Sequence, residues 1–124
     1  MNPGGGEIIV VDDDMSMSQA VERLLAAAGW PSRSFASAED FLASDAVARA
    51  SVLILDIQLP GISGLELFRQ LKAAGGAPPV IFITARDQPD IRDQAREAGA
   101  AACFIKPFDG NQLIQTIRHH LPAA

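Results

Sequence analysis

The sequence predicts a single doubly wound α/β domain of the (βα)5 kind, a five-stranded parallel sheet with helices on both faces. Three observations predict it. Four short apolar runs, without polar interruption, read as strands buried on both faces. Stretches with apolar residues at helical spacing separate them, and the links between are short. The length of 124 residues suits one core and leaves little room for a second.

The elements follow in order. Met1 to Gly6 contains three consecutive glycines and is expected to be a flexible lead-in. Ile8-Ile9-Val10-Val11 is the first strand, ended by Asp12-Asp13-Asp14. Ala20, Val21, Leu24, Leu25 and Ala28 repeat at helical spacing, with Gly29 as the expected C-cap. Arg33-Ser34-Phe35 is a short, weakly marked strand, and Ser37 with Asp40 starts a capped helix through Phe41 and Leu42. Val52-Leu53-Ile54-Leu55 repeats the first pattern and ends at Asp56; Pro60-Gly61 marks a turn. Leu65, Phe68 and Leu71 form a helical stripe that stops at Gly75-Gly76. Pro79 to Ile83 is a third buried strand ending at Thr84. The next helix, Pro89 to Ala98, offers only Ile91, Ala95 and Ala98 as an apolar face, so it should pack weakly and move. Cys103-Phe104-Ile105 is expected to be a fourth buried run, ending at Lys106-Pro107, and Leu113, Ile114, Ile117 and Leu121 form the last amphipathic helix.

Composition excludes several functions. Ten basic residues against 15 acidic ones give a formal charge of −5, a poor basis for gripping nucleic acid or an anionic membrane. One cysteine cannot form an internal disulfide. The apolar runs fall far short of the roughly 18 residues a membrane span needs, and Met1 to Glu7 shows no secretory signal. A cytoplasmic setting is expected.

Each clear strand ends in a polar residue: Asp12 and Asp13, then Asp56, then Thr84, then Lys106. Open parallel sheets bind ligands at the carboxyl ends of their strands. Two or three carboxylates, a hydroxyl and an ammonium are thus expected at one rim. Crowded carboxylates resist ionising together, and a hard divalent cation relieves them. Oxygen-only ligands sharing the ion with water favour Mg2+ over zinc. A carboxylate beside such an ion can attack phosphorus and form an acyl phosphate, while lysine and hydroxyl meet the charge on the transferred oxygens. Taken singly, each residue has an ordinary reading. The aspartate run can cap the first helix, Asp56 can be a loop acid, Thr84 a backbone-bonding residue and Lys106 a solvated charge. Four complementary strand ends in one sheet carry the chemical reading.

From about Glu7 to Leu121 the sequence resembles a response-regulator receiver domain of bacterial two-component signalling. The matching stretches are Val10-Val11-Asp12-Asp13-Asp14, Leu55-Asp56-Ile57-Gln58-Leu59-Pro60 with Gly64, Ile83-Thr84-Ala85, and Lys106-Pro107-Phe108. The stretch from Ser34 to Leu42 further resembles receivers of the FixJ type, whose full-length members usually carry a DNA-binding domain. The expected organisation is a lead-in at 1–6, a receiver domain at 7–121 and a tail at 122–124, with strand order 2-1-3-4-5. The sequence is compatible with a free-standing receiver and with a piece of a longer regulator.

The resemblance implies a role for each matching residue. Asp56 is the phosphoacceptor, Asp13 a direct Mg2+ ligand and Asp12 a ligand through water, with the Gln58 backbone carbonyl also facing the metal. Thr84 and Lys106 hold phosphoryl oxygens, and the Lys106-Pro107 bond is cis. Pro60 and Gly64 shape the loop after Asp56, and Ala85 leaves room for the phosphoryl group. The domain would catalyse its own phosphorylation and dephosphorylation, taking the phosphoryl group from a sensor histidine kinase or a small phosphodonor. The changed surface would lie on the helix at Pro89–Ala98, the Cys103 strand and the last helix. It would control dimerisation with a second receiver copy, an effector domain or a downstream protein, without direct nucleic-acid or membrane binding.

Some residues depart from the pattern or compete with it. Cys103 stands where many receivers carry a switching aromatic, and Phe104, on the opposite face, is expected in the core. Cys103 itself is expected to be a small buried hydrophobe, with a redox role as the outside reading. Asp14 is expected to start the helix or face solvent, with direct metal contact as the competing reading, while Gln58 and Arg86 occupy positions that tune phosphate loss in the family. Trp30 and Phe41 read as packing residues, and His119-His120 suits a helix C-terminus. Two alternatives stand beside the switch. One is a Mg2+-dependent phosphatase of the haloacid-dehalogenase kind, which usually places a second acid where this chain has Gln58. The other is a receiver-like interaction module that accepts no phosphate.

Overall fold

A computed structural model describes residues 7–85 and 88–121. The expected lead-in, the tail and Arg86 lie outside the described residues. In chain order the elements are β1 (Glu7–Val11), α1 (Met15–Ala27), β2 (Ser32–Phe35), α2 (Ala38–Leu42), α3 (Ala46–Arg49) and β3 (Ala50–Asp56), followed by α4 (Gly64–Ala73), β4 (Val80–Thr84), α5 (Pro89–Glu97), β5 (Ala102–Ile105) and α6 (Gly110–His120). All neighbouring strands run parallel, in the order β2-β1-β3-β4-β5.

The apolar runs occupy the middle of the sheet because only there are both faces covered. Successive strand residues point to opposite sides, and the core divides accordingly. Ile9, Val11, Leu53, Leu55 and Phe82 pack with Phe41, Leu67, Phe68 and Leu71 beneath α2, α4 and α5. Ile8, Val10, Val52, Ile54 and Ile83 pack with Val21, Leu25, Leu113 and Ile117 beneath α1 and α6.

Register then places the strand ends. Val11 lies level with Leu55, so the residues following them, Asp12 and Asp56, leave the sheet side by side. Thr84 pairs with Ile105, so Lys106 emerges just beyond it.

Side-chain caps start four helices, each contributing about 1 kcal/mol. Asp14 accepts from Met17 N at 3.2 Å, Ser37 from Asp40 N at 3.0 Å, Ser63 from Glu66 N at 3.1 Å and Asp109 from Asn111 N at 2.9 Å. Helix α5 has no such cap and starts at Pro89. Only its Ala95 is buried, so the thin apolar face expected from the sequence is present.

Several expectations need correcting. Ala20 is exposed and Ser18 is buried instead, its hydroxyl donating to the Asp12 carbonyl at 3.4 Å. Gly29 does end α1, though one residue past the C-cap Ala28: at φ +86° its N–H donates to Ala26 O and the Trp30 N–H to Leu25 O, both at 3.0 Å. The single turn of α3 has no strong apolar period and was not anticipated; only its Ala46 is buried. Strand β5 is half-buried throughout, not buried, because it is the sheet edge with β4 as its one strand neighbour. Cys103 is correspondingly half-buried.

Candidate functional site

Two carboxylates and one ammonium form the centre of the rim. Lys106 Nζ lies 2.9 Å from Asp12 Oδ2 and 3.3 Å from Asp56 Oδ2. The other oxygen of each aspartate is held by backbone two residues on: Asp14 N donates to Asp12 Oδ1 and Gln58 N to Asp56 Oδ1, both at 2.9 Å. Such local turns are an aspartate speciality, and here they aim both carboxylates. Asp12 and Asp56 are buried, whereas Asp13 is exposed, and oxygens of all three lie within 4.8 Å of one another. Thr84 is fully buried at the end of β4, and its carbonyl accepts from Lys106 N at 2.8 Å. The Lys106-Pro107 bond is cis.

Burial pushes the Asp56 carboxyl above its ordinary range, and the neighbouring Asp12 charge adds to this. The Gln58 N–H and Lys106 oppose the shift without cancelling it. Burial works against charge on Lys106, but its hydrogen bond to Asp12 and the charges of Asp12 and Asp56 outweigh that, so its pKa is raised. Three carboxylates facing one ammonium leave two negative charges uncompensated. The donors are all oxygens and one is solvent-facing, a set that fits a hard divalent ion keeping several waters, as Mg2+ does.

Glycine shapes the loop beyond Asp56. A Cβ on Gly64 would lie 2.2 Å from the Asp56 carbonyl oxygen, and the Gly64 N–H donates to Ile57 O at 2.9 Å. The first turn of α4 therefore rests on the backbone of Asp56 itself. Pro60 stands exposed in the same loop, and Gly61 after it has φ +75°, a left-handed backbone conformation that favours glycine.

The structure brings Asp12, Asp13, Asp56, Thr84 and Lys106 to one rim, with exposed Gln58 and Ala85 on adjoining loops. Asp14 caps α1 and does not join the carboxylate cluster. Phe104 packs on the α1 and α6 side, 6.1 Å from Phe108 between ring centres, while Cys103 packs on the opposite side. Trp30 and Phe41 serve packing, with Arg118 stacked 5.5 Å from the Trp30 ring centre. The sequence reading gave no role to Glu39, whose carboxylate accepts from Ile62 N at 3.2 Å. The two residues are 23 apart, and no periodicity or motif links them. A surface cavity of about 610 Å³, lined by Phe68, Lys72, Pro79 and His120 among others, lies at the opposite end of the sheet. The acidic rim combines buried Asp12, Asp56 and Thr84 with exposed Asp13.

The family model for the response regulator receiver domain matches residues 8–118. The chain belongs to this receiver family. The receiver is 35% identical over its whole length to the response regulator protein TodT of Pseudomonas putida, spanning 55% of that protein. It is 37% identical over 112 residues to the DNA-binding transcriptional regulator NtrC of Salmonella typhimurium, covering 90% of this chain and 24% of that protein. Curated relatives are thus about two to four times longer than this receiver. Among solved structures, a response regulator receiver protein from Burkholderia phymatum is 41% identical, with a TM-score of 0.81 over 96% of this chain and 97% of that one. The FixJ-N structure is 31% identical with a TM-score of 0.84, covering both chains fully. No helix among the described residues is long and apolar enough to cross a membrane.

Proposed function

We propose that this receiver is a phosphorylation-controlled switch whose phosphoacceptor is Asp56. One observation carries the reading: the Asp56 carboxylate sits at the end of a central strand, aimed by Gln58 N and Lys106, beside two further acids. A carboxylate oxygen of Asp56 would attack the phosphorus of a phosphohistidine or a small acyl phosphate in line. The bond from phosphorus to the donor breaks, and the leaving group departs with its electron pair. Lys106, already between Asp12 and Asp56, meets one transferred oxygen, and the Thr84 hydroxyl meets another. Mg2+ held by Asp12, Asp13, Asp56 and the Gln58 carbonyl would neutralise the remaining charge. Hydrolysis of the acyl phosphate resets the domain, so the chain acts on itself and turns over no metabolite.

The transferred group adds negative charge and strong acceptors. Thr84 belongs to β4, and the segment it leads into ends in uncapped, thinly packed α5. That helix is the element a new contact at Thr84 would bias. The changed face, α5 with β5 and α6, would contact a second copy, an effector domain or a downstream protein. A sensor histidine kinase in the cytoplasm is the proposed donor, and residues 7–121 are the proposed functional unit. Enzymes of the phosphatase alternative usually place a second acid two residues beyond the nucleophile, where exposed Gln58 stands.

Incubation with acetyl phosphate and Mg2+, followed by intact-mass measurement, tests the proposal. Wild type should gain one alkali-labile phosphoryl group and Asp56→Asn none. A wild type that binds Mg2+ yet gains nothing overturns the switch and leaves the unphosphorylated interaction module.

A further inference from the structure

The loop from Ile57 to Ser63 joins the phosphoacceptor strand to α4, and its ends are tied to the fold. Ile57 N donates to Ile83 O at 3.3 Å, and Gly64 N to Ile57 O at 2.9 Å. The tip, Pro60-Gly61-Ile62, is tied by a carboxylate from a different element. Ile62 N donates to Glu39 Oε2 at 3.2 Å. A second observation agrees with the bond. A Cβ on Gly61 would lie 2.3 Å from Glu39 Oε2 and 3.2 Å from its carboxyl carbon. Glu39 thus fills the space that any larger residue at position 61 would need.

From this pairing we infer that Glu39 is a positioning residue for the metal-facing loop, a latch from α2 onto the segment that carries Gln58. The inference rests on the proposed Mg2+ site. Glu39 can serve as a latch because its backbone is fixed: Ala38 just before it and Phe41 two residues after it are both fully buried, and Ser37 caps α2. The loop benefits because the N–H that would close its Pro60-Gly61 turn goes to Glu39. Without the carboxylate, that N–H turns to water and the tip gains conformers. The Gln58 N–H stays on Asp56 Oδ1, but the peptide that carries its carbonyl leads into the loosened tip and has to be ordered before it can face an ion, which weakens binding through entropy. The carboxylate is exposed, so its part is that of a hydrogen-bond acceptor more than a charge. An amide oxygen at the same place should substitute for it.

The test uses the full chain and its Glu39→Ala and Glu39→Gln variants, with Mg2+ alone as the probe. Amide chemical shifts follow the titration, and hydrogen exchange reports the Ile62 N–H. Glu39→Ala should lose protection at Ile62 and raise the half-saturating Mg2+ concentration about fivefold, the equivalent of one ordinary hydrogen bond. Glu39→Gln should stay within about twofold of wild type on both measures, since it retains the acceptor. Equal Mg2+ binding and Ile62 exchange in wild type and Glu39→Ala overturn the latch. So does a Glu39→Gln variant as impaired as Glu39→Ala. A wild type that binds no Mg2+ overturns both the latch and the proposed function. One that binds Mg2+ with the expected variant pattern, yet takes no phosphoryl group from acetyl phosphate, overturns the function alone.

Discussion

Replacing Gly64 with alanine tests the closest backbone approach at the site. The new Cβ would meet the Asp56 carbonyl oxygen at 2.2 Å, the Asp56 carbonyl carbon at 3.0 Å and Ile57 Cα at 3.1 Å. All three are backbone atoms of a central strand and its exit, so none can rotate aside. Restoring an ordinary contact requires a displacement of roughly 1 Å. The displaced element would be α4, which carries Leu65, Leu67, Phe68 and Leu71 into the core. Overpacking of that kind costs about 3 kcal/mol. Alanine's higher helix propensity returns about 1 kcal/mol, leaving a net loss of about 2 kcal/mol. For a domain of this size that lowers Tm by about 8 °C, readable by circular dichroism melts and urea titration. The variant should also bind Mg2+ more weakly, because the strained atoms belong to Asp56. Gly75→Ala is the control: its Cβ would meet nothing within 4 Å although φ is +121°, so it should lose stability through backbone strain alone. It should leave Mg2+ binding unchanged. A Gly64→Ala protein as stable as wild type would refute the close approach and the tie between α4 and Asp56.

Asp56→Asn should raise Tm near neutral pH in Mg2+-free buffer. The folded carboxyl has a raised pKa, so its contribution is favourable below the unfolded value and is lost as pH rises through the folded one. The gain over wild type should therefore shrink on acidification through the carboxylate range, and Mg2+ should narrow it at neutral pH; melts across pH with and without Mg2+ check both. Lys106→Met removes the ammonium that pairs Asp12 with Asp56 and should cost about 1–3 kcal/mol in urea unfolding. The raised lysine pKa makes that stabilisation fully present at neutral pH, fading only as pH rises through the folded value. The same variant should bind Mg2+ more tightly yet accept phosphate more slowly, as isothermal titration and phosphorylation time courses would show. Thr84→Ala should still be phosphorylated, but phosphate-dependent dimerisation or partner binding, measured by analytical ultracentrifugation, should be blunted.

Much of this architecture could be read from patterns that are local in the chain. Ile8 to Val11, Val52 to Leu55 and Val80 to Ile83 are apolar without interruption because strands in the middle of a parallel sheet have no solvent face. Once they lie parallel, the polar residues that follow them must share a rim, and the Asp12, Asp56 and Lys106 cluster follows. The edge strand was less legible. Cys103-Phe104-Ile105 has a central strand's composition, and its partial exposure depends on having one strand neighbour. Ser18 is buried through its contact with the Asp12 carbonyl, which a hydropathy stripe cannot foresee. The Glu39 to Ile62 bond was invisible for a related reason. It joins two exposed polar groups across tertiary structure and leaves no mark on either segment's periodicity.

The paired turns at Asp12 and Asp56 have a consequence for how the rim responds to ions. Each carboxylate is already confined to one rotamer by an N–H two residues on and by a shared ammonium. Little side-chain freedom of Asp12 and Asp56 remains to be lost when a cation arrives, so ordering these two carboxylates contributes little to affinity. In the proposed Mg2+ site the cation would compete with the Lys106 ammonium for the same oxygens, under ionic screening. The rim should therefore behave as an exchange site, its loading tracking divalent concentration and ionic strength more closely than temperature.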